Sequence, residues 1–178
     1  MKSVRLLRTK RLFLLLSNLI YIYKMFRYNF HLFIFFFSFY SLTSFSQTKL
    51  IKTEAQWEKI LSPLEYYVLR EKGTERPATG IYDKHYENGI YACAGCETKL
   101  FDSKDKFNSY SGWPSFDRGH QNNISEITDT SHGMKRVEVI CAICNGHLGH
   151  VFDDGPKKTT GKRYCINSAS LSFEAKKE

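Results

Sequence analysis

Arg136-Val137-Glu138-Val139-Ile140-Cys141-Ala142-Ile143-Cys144-Asn145-Gly146-His147-Leu148-Gly149-His150 carries the main architectural signal of this chain. Its first five residues alternate as a half-buried strand does, and the strand runs straight into a Cys-x-x-Cys knuckle. A second knuckle, Cys93-Ala94-Gly95-Cys96, follows the turn signal Glu87-Asn88-Gly89 and the short run Ile90-Tyr91-Ala92. Two intervening residues let both thiolates of a knuckle face one cation, and two knuckles complete the tetrahedral four-cysteine shell that Zn2+ favours. A closed shell leaves no position for water or substrate. The expected metal is therefore structural, clamping two hairpins 44 residues apart in sequence, and its binding free energy is part of the folding free energy.

Downstream, Asp154-Gly155-Pro156 and Thr160-Gly161 punctuate a later hairpin, followed by a strand expected over Arg163 to Phe173. Upstream, Thr53-Glu54-Ala55-Gln56 and Ser62-Pro63-Leu64-Glu65 both fit the capping-box pattern and predict two short helices; Gly73 suits the end of the second. Short strands joined by Gly, Asn and Asp turns predict a mainly β domain of antiparallel β-sheets, with short N-terminal helices and a structural zinc site of four cysteines. The tail Glu174 to Glu178 is expected to fray.

Charge divides the 178 residues in two. Seven of the 26 Lys/Arg and none of the 18 Asp/Glu lie in residues 1–47, leaving 19 positive against 18 negative in the rest. The net charge of +8 thus belongs to a leader, and a nearly neutral body offers little attraction to nucleic acid. From Met25 the order is that of a secretory signal peptide: Arg27 in a basic start, an apolar run from Leu32 to Leu42, then Ser44-Phe45-Ser46, with cleavage expected before Gln47. Residues 1–46 are read as leader (signal peptide 25–46, true start at Met25) and 47–178 as one domain. The expected location is outside the cytoplasm, periplasmic or secreted; anchoring to a membrane through an uncleaved leader is the alternative.

The four knuckle cysteines have rival readings. They could form two disulfides in an exported chain, or one knuckle could be a redox pair. His85-Tyr86-Glu87 ahead of Cys93 is also similar to a zinc deaminase signature, but no Pro precedes Cys93. Cys165 is the odd thiol. Strand alternation puts it on one face with Arg163 and Asn167, leaving Tyr164 and Ile166 to a core. A neighbouring cation favours thiolate, the nucleophilic form; an inert buried thiol is the rival reading. His147 and His150, just after the second knuckle, suit proton delivery near neutral pH. Trp113, in Ser111-Gly112-Trp113-Pro114-Ser115-Phe116, is a candidate apolar wall on a rigid loop.

Taken in order, Glu75-Arg-Pro-Ala-Thr-Gly80, Cys93-Ala-Gly-Cys96, Lys106-Phe107, Gly112-Trp-Pro-Ser-Phe116, the run from Cys141 to Pro156 and Arg163-Tyr-Cys165-Ile-Asn167-Ser168 resemble the B-type methionine sulfoxide reductases. The resemblance spans about Thr53 to Phe173. It implies thiol-dependent reduction of methionine (R)-S-oxide in oxidised proteins, with Cys165 as nucleophile and zinc on Cys93, Cys96, Cys141 and Cys144. It further implies that Trp113, with Phe116, receives the substrate's methyl end. His147, His150 and Asn167 would bind or protonate the sulfoxide oxygen, and Arg163 would support the thiolate. Many relatives carry a resolving cysteine where this chain has Ser111. A hydroxyl cannot resolve a sulfenic acid as a disulfide, so a thioredoxin-like domain or a small thiol is expected as reductant. A zinc-ribbon binding module without catalytic activity is the competing function.

Overall fold

The computed structural model describes residues 49–176, together with Tyr21, Tyr23 to Met25 and Arg27, which are helical. The chain divides into two units, Met1–Ser46 and Gln47–Glu178. The signal peptide, its start and its cleavage point otherwise lie outside the described residues. Among the described residues, no helix is long and apolar enough to cross a membrane.

Both expected helices form with both capping boxes in place. In α1 (Glu54–Ile60) the Thr53 hydroxyl accepts from Gln56 N while the Gln56 side chain accepts from Thr53 N. In α2 (Pro63–Leu69) Ser62 and Glu65 do the same, with Pro63 at the first position. The left-handed residue after α2 is Lys72 (φ 58°), not Gly73. Gly73 is small for another reason: a side chain there would collide with the Tyr67 ring.

Among the described residues, nine strands form two antiparallel sheets. β1 (Gly89–Cys93), β2 (Lys99–Asp102) and β9 (Leu171–Ala175) make one, in the order β2-β1-β9. The other holds β3 (Lys106–Phe107), β4 (Ser115–Phe116), β5 (Ile124–Asp129), β6 (Arg136–Cys141), β7 (His147–Phe152) and β8 (Arg163–Ile166), in the order β3-β4-β8-β7-β6-β5. Tyr91, Leu100, Phe101, Phe116, Leu148, Tyr164 and Ile166 are fully buried in one core, where the Phe101 and Phe116 rings stack at 4.4 Å. Burying each such side chain contributes about 1.5–3 kcal/mol.

Two expectations are corrected. Arg163 to Phe173 is not one strand but two, β8 and β9, in different sheets. Between them the buried Glu75 carboxylate accepts from Ser168 N (2.6 Å) and Ala169 N (3.0 Å), and Ser170 Oγ donates to Asn167 O (2.7 Å). These bonds occupy main-chain groups that a continuous ladder would use. The tail does not fray at Glu174, because Ala175 pairs with Gly89 and Lys176 N donates to Asn88 O.

Candidate active site and metal centre

The two knuckles are copies of one local structure. Each first cysteine ends a strand, and its carbonyl accepts from the residue after the second cysteine: Glu97 N to Cys93 O at 2.8 Å, Asn145 N to Cys141 O at 2.9 Å. Both receiving turns close on a left-handed residue, Glu97 (φ 59°) and Asn145 (φ 57°). The four sulfurs converge within 4.8 Å of one another, with Cys93 to Cys144 at 3.6 Å and Cys96 to Cys141 at 3.5 Å. A tetrahedral unit of one zinc and four thiolates, with Zn–S near 2.3 Å, has sulfur–sulfur edges of about 3.8 Å, whereas a disulfide needs about 2.05 Å. All five cysteines are free, so the arrangement matches a cation shell and not the disulfide alternative. Thiols this close compete for protons: hydrogen bonds with Cys141 push Cys93 and Cys144 up and Cys96 down. A divalent cation would replace those protons. Because Cys93 ends β1 and Cys141 ends β6, the cluster joins the two sheets.

From Cys141 the chain turns through Gly146 into β7, and a bulge at its start arranges the site. Ile140 pairs with His147 but Val139 pairs with Gly149, so Leu148 is an extra residue. Two strand residues three apart ordinarily face opposite ways. The extra residue brings His147 and His150 to the same face, with ring centroids 5.5 Å apart. The Leu148 carbonyl accepts from both Asn167 N (2.9 Å) and Asn167 Nδ2 (3.0 Å).

Register then lines up one face of the large sheet. Ser115 stands opposite Cys165, Cys165 opposite His150, His150 opposite Glu138, and Arg136 opposite Asp129. Each histidine is held by a carboxylate backed by a cation. His147 Nδ1 donates to Glu138 Oε1 (2.7 Å), whose other oxygen accepts from Lys72 Nζ (2.8 Å). His150 Nε2 donates to Asp129 Oδ2 (2.8 Å), which also accepts from Arg136 (2.8 Å). Burial would raise Glu138, but Lys72 and His147 outweigh it and hold it below the usual range; Ser131 and His150 do so for Asp129. Burial pushes His147 down toward its neutral form. With both carboxylates ionised, the histidine nitrogens facing them must carry the protons.

A cavity of about 150 Å³ opens over this face, lined by Thr74, Trp113, Arg136, Gly149, His150, Phe152, Cys165 and Asn167. Four of the predicted site residues thus meet in one place: Trp113, His150, Cys165 and Asn167. The Trp113 loop is braced by Trp113 Nε1 donating to Glu75 O (3.2 Å) and Ala78 N donating to Gly112 O (2.7 Å). Gly112 has φ 89°, and a Cβ there would sit 2.8 Å from Ala78 N, so no other residue fits. Asn167 touches the cavity, yet both ends of its amide are engaged, Nδ2 by Leu148 O and Oδ1 by Glu75 N (3.0 Å). His147 is enclosed beside His150, 2% exposed, and is not among the lining residues. The expectation that Phe116 meets substrate is corrected: it is wholly buried on the opposite face of the sheet, in the core.

The electrostatics of Cys165 also differ from the sequence reading. Arg163 is the expected neighbour and lowers the thiol, as does a contact to Ser111 Oγ at 3.8 Å. Burial outweighs both and raises Cys165. Arg163 itself is bound bidentately to Asp154, with both contacts at 2.8 Å. Sequence reasoning missed Glu138, Asp129, Arg136 and Lys72. Glu138 and Arg136 were legible as same-face residues of an alternating strand, but nothing local marked their partners.

Comparison with known proteins shows what the chain is similar to. A model of the SelR domain matches residues 61–175. A peptide methionine sulfoxide reductase MsrB of Bradyrhizobium diazoefficiens is 54% identical over 135 residues, covering 75% of this chain and 96% of that protein. One from Thiobacillus denitrificans is 57% identical over 126 residues, covering 70% and 95%. A probable methionine-R-sulfoxide reductase B of Caenorhabditis elegans is 50% identical over 125 residues, covering 69% and 82%. Among solved structures, a Mis18 "Yippee-like" domain aligns with a TM-score of 0.42 and 16% identity, covering 52% of this chain and all of that one. Since the matched segment takes in both sheets, both knuckles and every residue lining the cavity, the chain belongs to the SelR domain family.

Proposed function

We propose that this protein is an oxidoreductase that reduces methionine (R)-S-oxide in oxidised proteins, with Cys165 as nucleophile. The observation that carries the reading is the position of Cys165. It stands apart from the four clustered thiols, in the wall of a cavity shared with an indole and a carboxylate-held imidazole. In the proposed reaction the Cys165 sulfur attacks the sulfoxide sulfur as the oxygen is protonated. The hydroxyl then passes to the Cys165 sulfur as the S–O bond and the new S–S bond to the methionine sulfur both break, so that methionine leaves and Cys165 is left as a sulfenic acid. Trp113 offers the apolar wall for the methyl end. His150, oriented by Asp129 through Nε2, supplies the proton from Nδ1 as the doubly protonated imidazolium; Glu138 and His147 hold the neighbouring strand register. One external thiol then condenses with the sulfenic acid to a mixed disulfide with loss of water. A second thiol releases Cys165 and leaves with the first as a disulfide, the pair having supplied the two electrons that reduce the sulfoxide. The cation suited to the four-thiolate shell is Zn2+, which there ties the two sheets together. We assign the reductant to a thioredoxin-like domain or small thiol, and the location to the outside of the cytoplasm by way of the leader.

Cys165→Ser tests the reading. Turnover of the R-sulfoxide with dithiothreitol should fall on the order of a thousandfold or more, while zinc content, about one per chain, and melting temperature stay unchanged. Retained turnover would remove Cys165 from the mechanism, and an inactive wild-type protein with a full zinc site would favour the binding-module reading. For export, the intact mass of the secreted protein should correspond to a chain beginning at Gln47.

A further inference from the structure

Arg136 lies on the face of β6 that carries Glu138 and lines the same cavity as Cys165, Trp113 and His150. Its hydrogen bonds among the described residues all leave from one terminal nitrogen, Nη2, which donates to Asp129 Oδ2 (2.8 Å) and Ser131 Oγ (3.3 Å). Nε is enclosed with no partner. A guanidinium carries five N–H donors in a rigid fork. Here one prong is anchored, which orients the plane, and the other prong, Nη1, is left for an acceptor in the cavity.

Register supplies the distance. Cys165 stands across from His150, and His150 across from Glu138. Two strand spacings and two residues along β6 therefore separate Cys165 from Arg136 by about 12 Å between Cα positions. A methionine side chain spans roughly 4 Å from sulfur to Cα. With contacts of about 3 Å at each end, a methionine sulfoxide whose sulfur sits on Cys165 brings its own main chain to the Arg136 end of the cavity. Asp129 already matches the guanidinium charge, so the remaining donors suit a neutral acceptor better than a carboxylate.

We propose that Arg136 is a specificity residue that recognises peptide-bound substrate, Nη1 donating to the main-chain carbonyl oxygen of the methionine sulfoxide. The inference rests on the proposed reductase activity and adds to it the part of the substrate beyond the sulfoxide group. Two substrates separate this role from a merely structural one: N-acetyl-methionine (R)-S-oxide N-methylamide, which has the carbonyl, and ethyl methyl sulfoxide, which has no main chain. Arg136→Gln and Arg136→Lys should each lower kcat/KM on the amide about tenfold more than on the small sulfoxide, mainly through KM, the order expected of one hydrogen bond from a charged donor. His150→Asn, which leaves the Asp129–Arg136 pair in place, should lower both substrates by the same factor. Zinc content and melting temperature report folding, and Arg136→Lys carries the test should Arg136→Gln not fold. Equal losses on both substrates would overturn the role of Arg136. A wild-type protein inactive on both would instead remove the activity itself.

Discussion

At Cys165, burial and charge pull in opposite directions, and burial wins. The nearby cation was visible in the sequence two residues away, but its partner was not: Asp154 takes both prongs of Arg163 and offsets much of its field. Ser111 is the other neighbour, with its oxygen 3.8 Å from the Cys165 sulfur. A thiol placed there is close enough to trap a sulfenic acid. Ser111→Cys should therefore give a disulfide between the introduced thiol and Cys165 after one turnover, seen as a loss of two hydrogens in intact mass with zinc retained. The natural chain should show no such loss, and a two-hydrogen loss in the natural chain would refute resolution by an external thiol.

The element that matters most is β7. Its bulge against β6 places both imidazoles on one face, and on its other side Asn167 donates to the Leu148 carbonyl, continuing the β7–β8 register past Gly149 and Ile166. One residue further on, β7 runs so close to β8 that a methyl group at Gly149 would land on the Cys165 carbonyl oxygen. Gly149→Ala must push the two strands apart at the pair His150 and Cys165. Overpacking of this kind costs about 1–3 kcal/mol, a fall of roughly 5–10 °C in melting temperature for a domain of this size. Turnover should fall more steeply than stability, because the strained pair includes Cys165, the proposed nucleophile. A thermal melt and an assay on the same sample check both.

For the molecule as a whole, the chain Lys72–Glu138–His147 links the end of α2 to the middle of the large sheet and makes stability depend on pH. Folding lowers His147 from its ordinary 6.5, so its contribution is complete above that value and is lost as pH falls toward the folded pKa. Glu138 is also lowered, from 4.5, and its contribution is lost at still lower pH as the carboxylate takes a proton. Melting temperature should thus decline between about pH 7 and pH 4, and His147→Asn should flatten the upper part of that decline. A metal held by the four clustered cysteines would act at the same scale. Removing it with a chelator should lower the melting temperature and abolish turnover together, since the four thiolates join β1 to β6 and open directly into β7.

Features settled within a few residues were legible before folding is considered. Both capping boxes, both knuckles, the strand alternation of Arg136 to Ile140 and the face shared by Cys165 and Arg163 arise from hydrogen bonds and periodicities that short segments carry with them. Which charges meet is settled only when the sheets assemble. Lys72 with Glu138, Arg136 with Asp129 and Glu75 with Ser168 join residues far apart or on different strands, and the split of β8 from β9 depends on one such pairing. Phe116 was misread for the same reason: its block is aromatic and loop-bound, but which side of the sheet it occupies depends on the register of β4 against β8. Burial, the strongest influence on the Cys165 thiol, is likewise a property of the packed sheet and not of any neighbour in the chain.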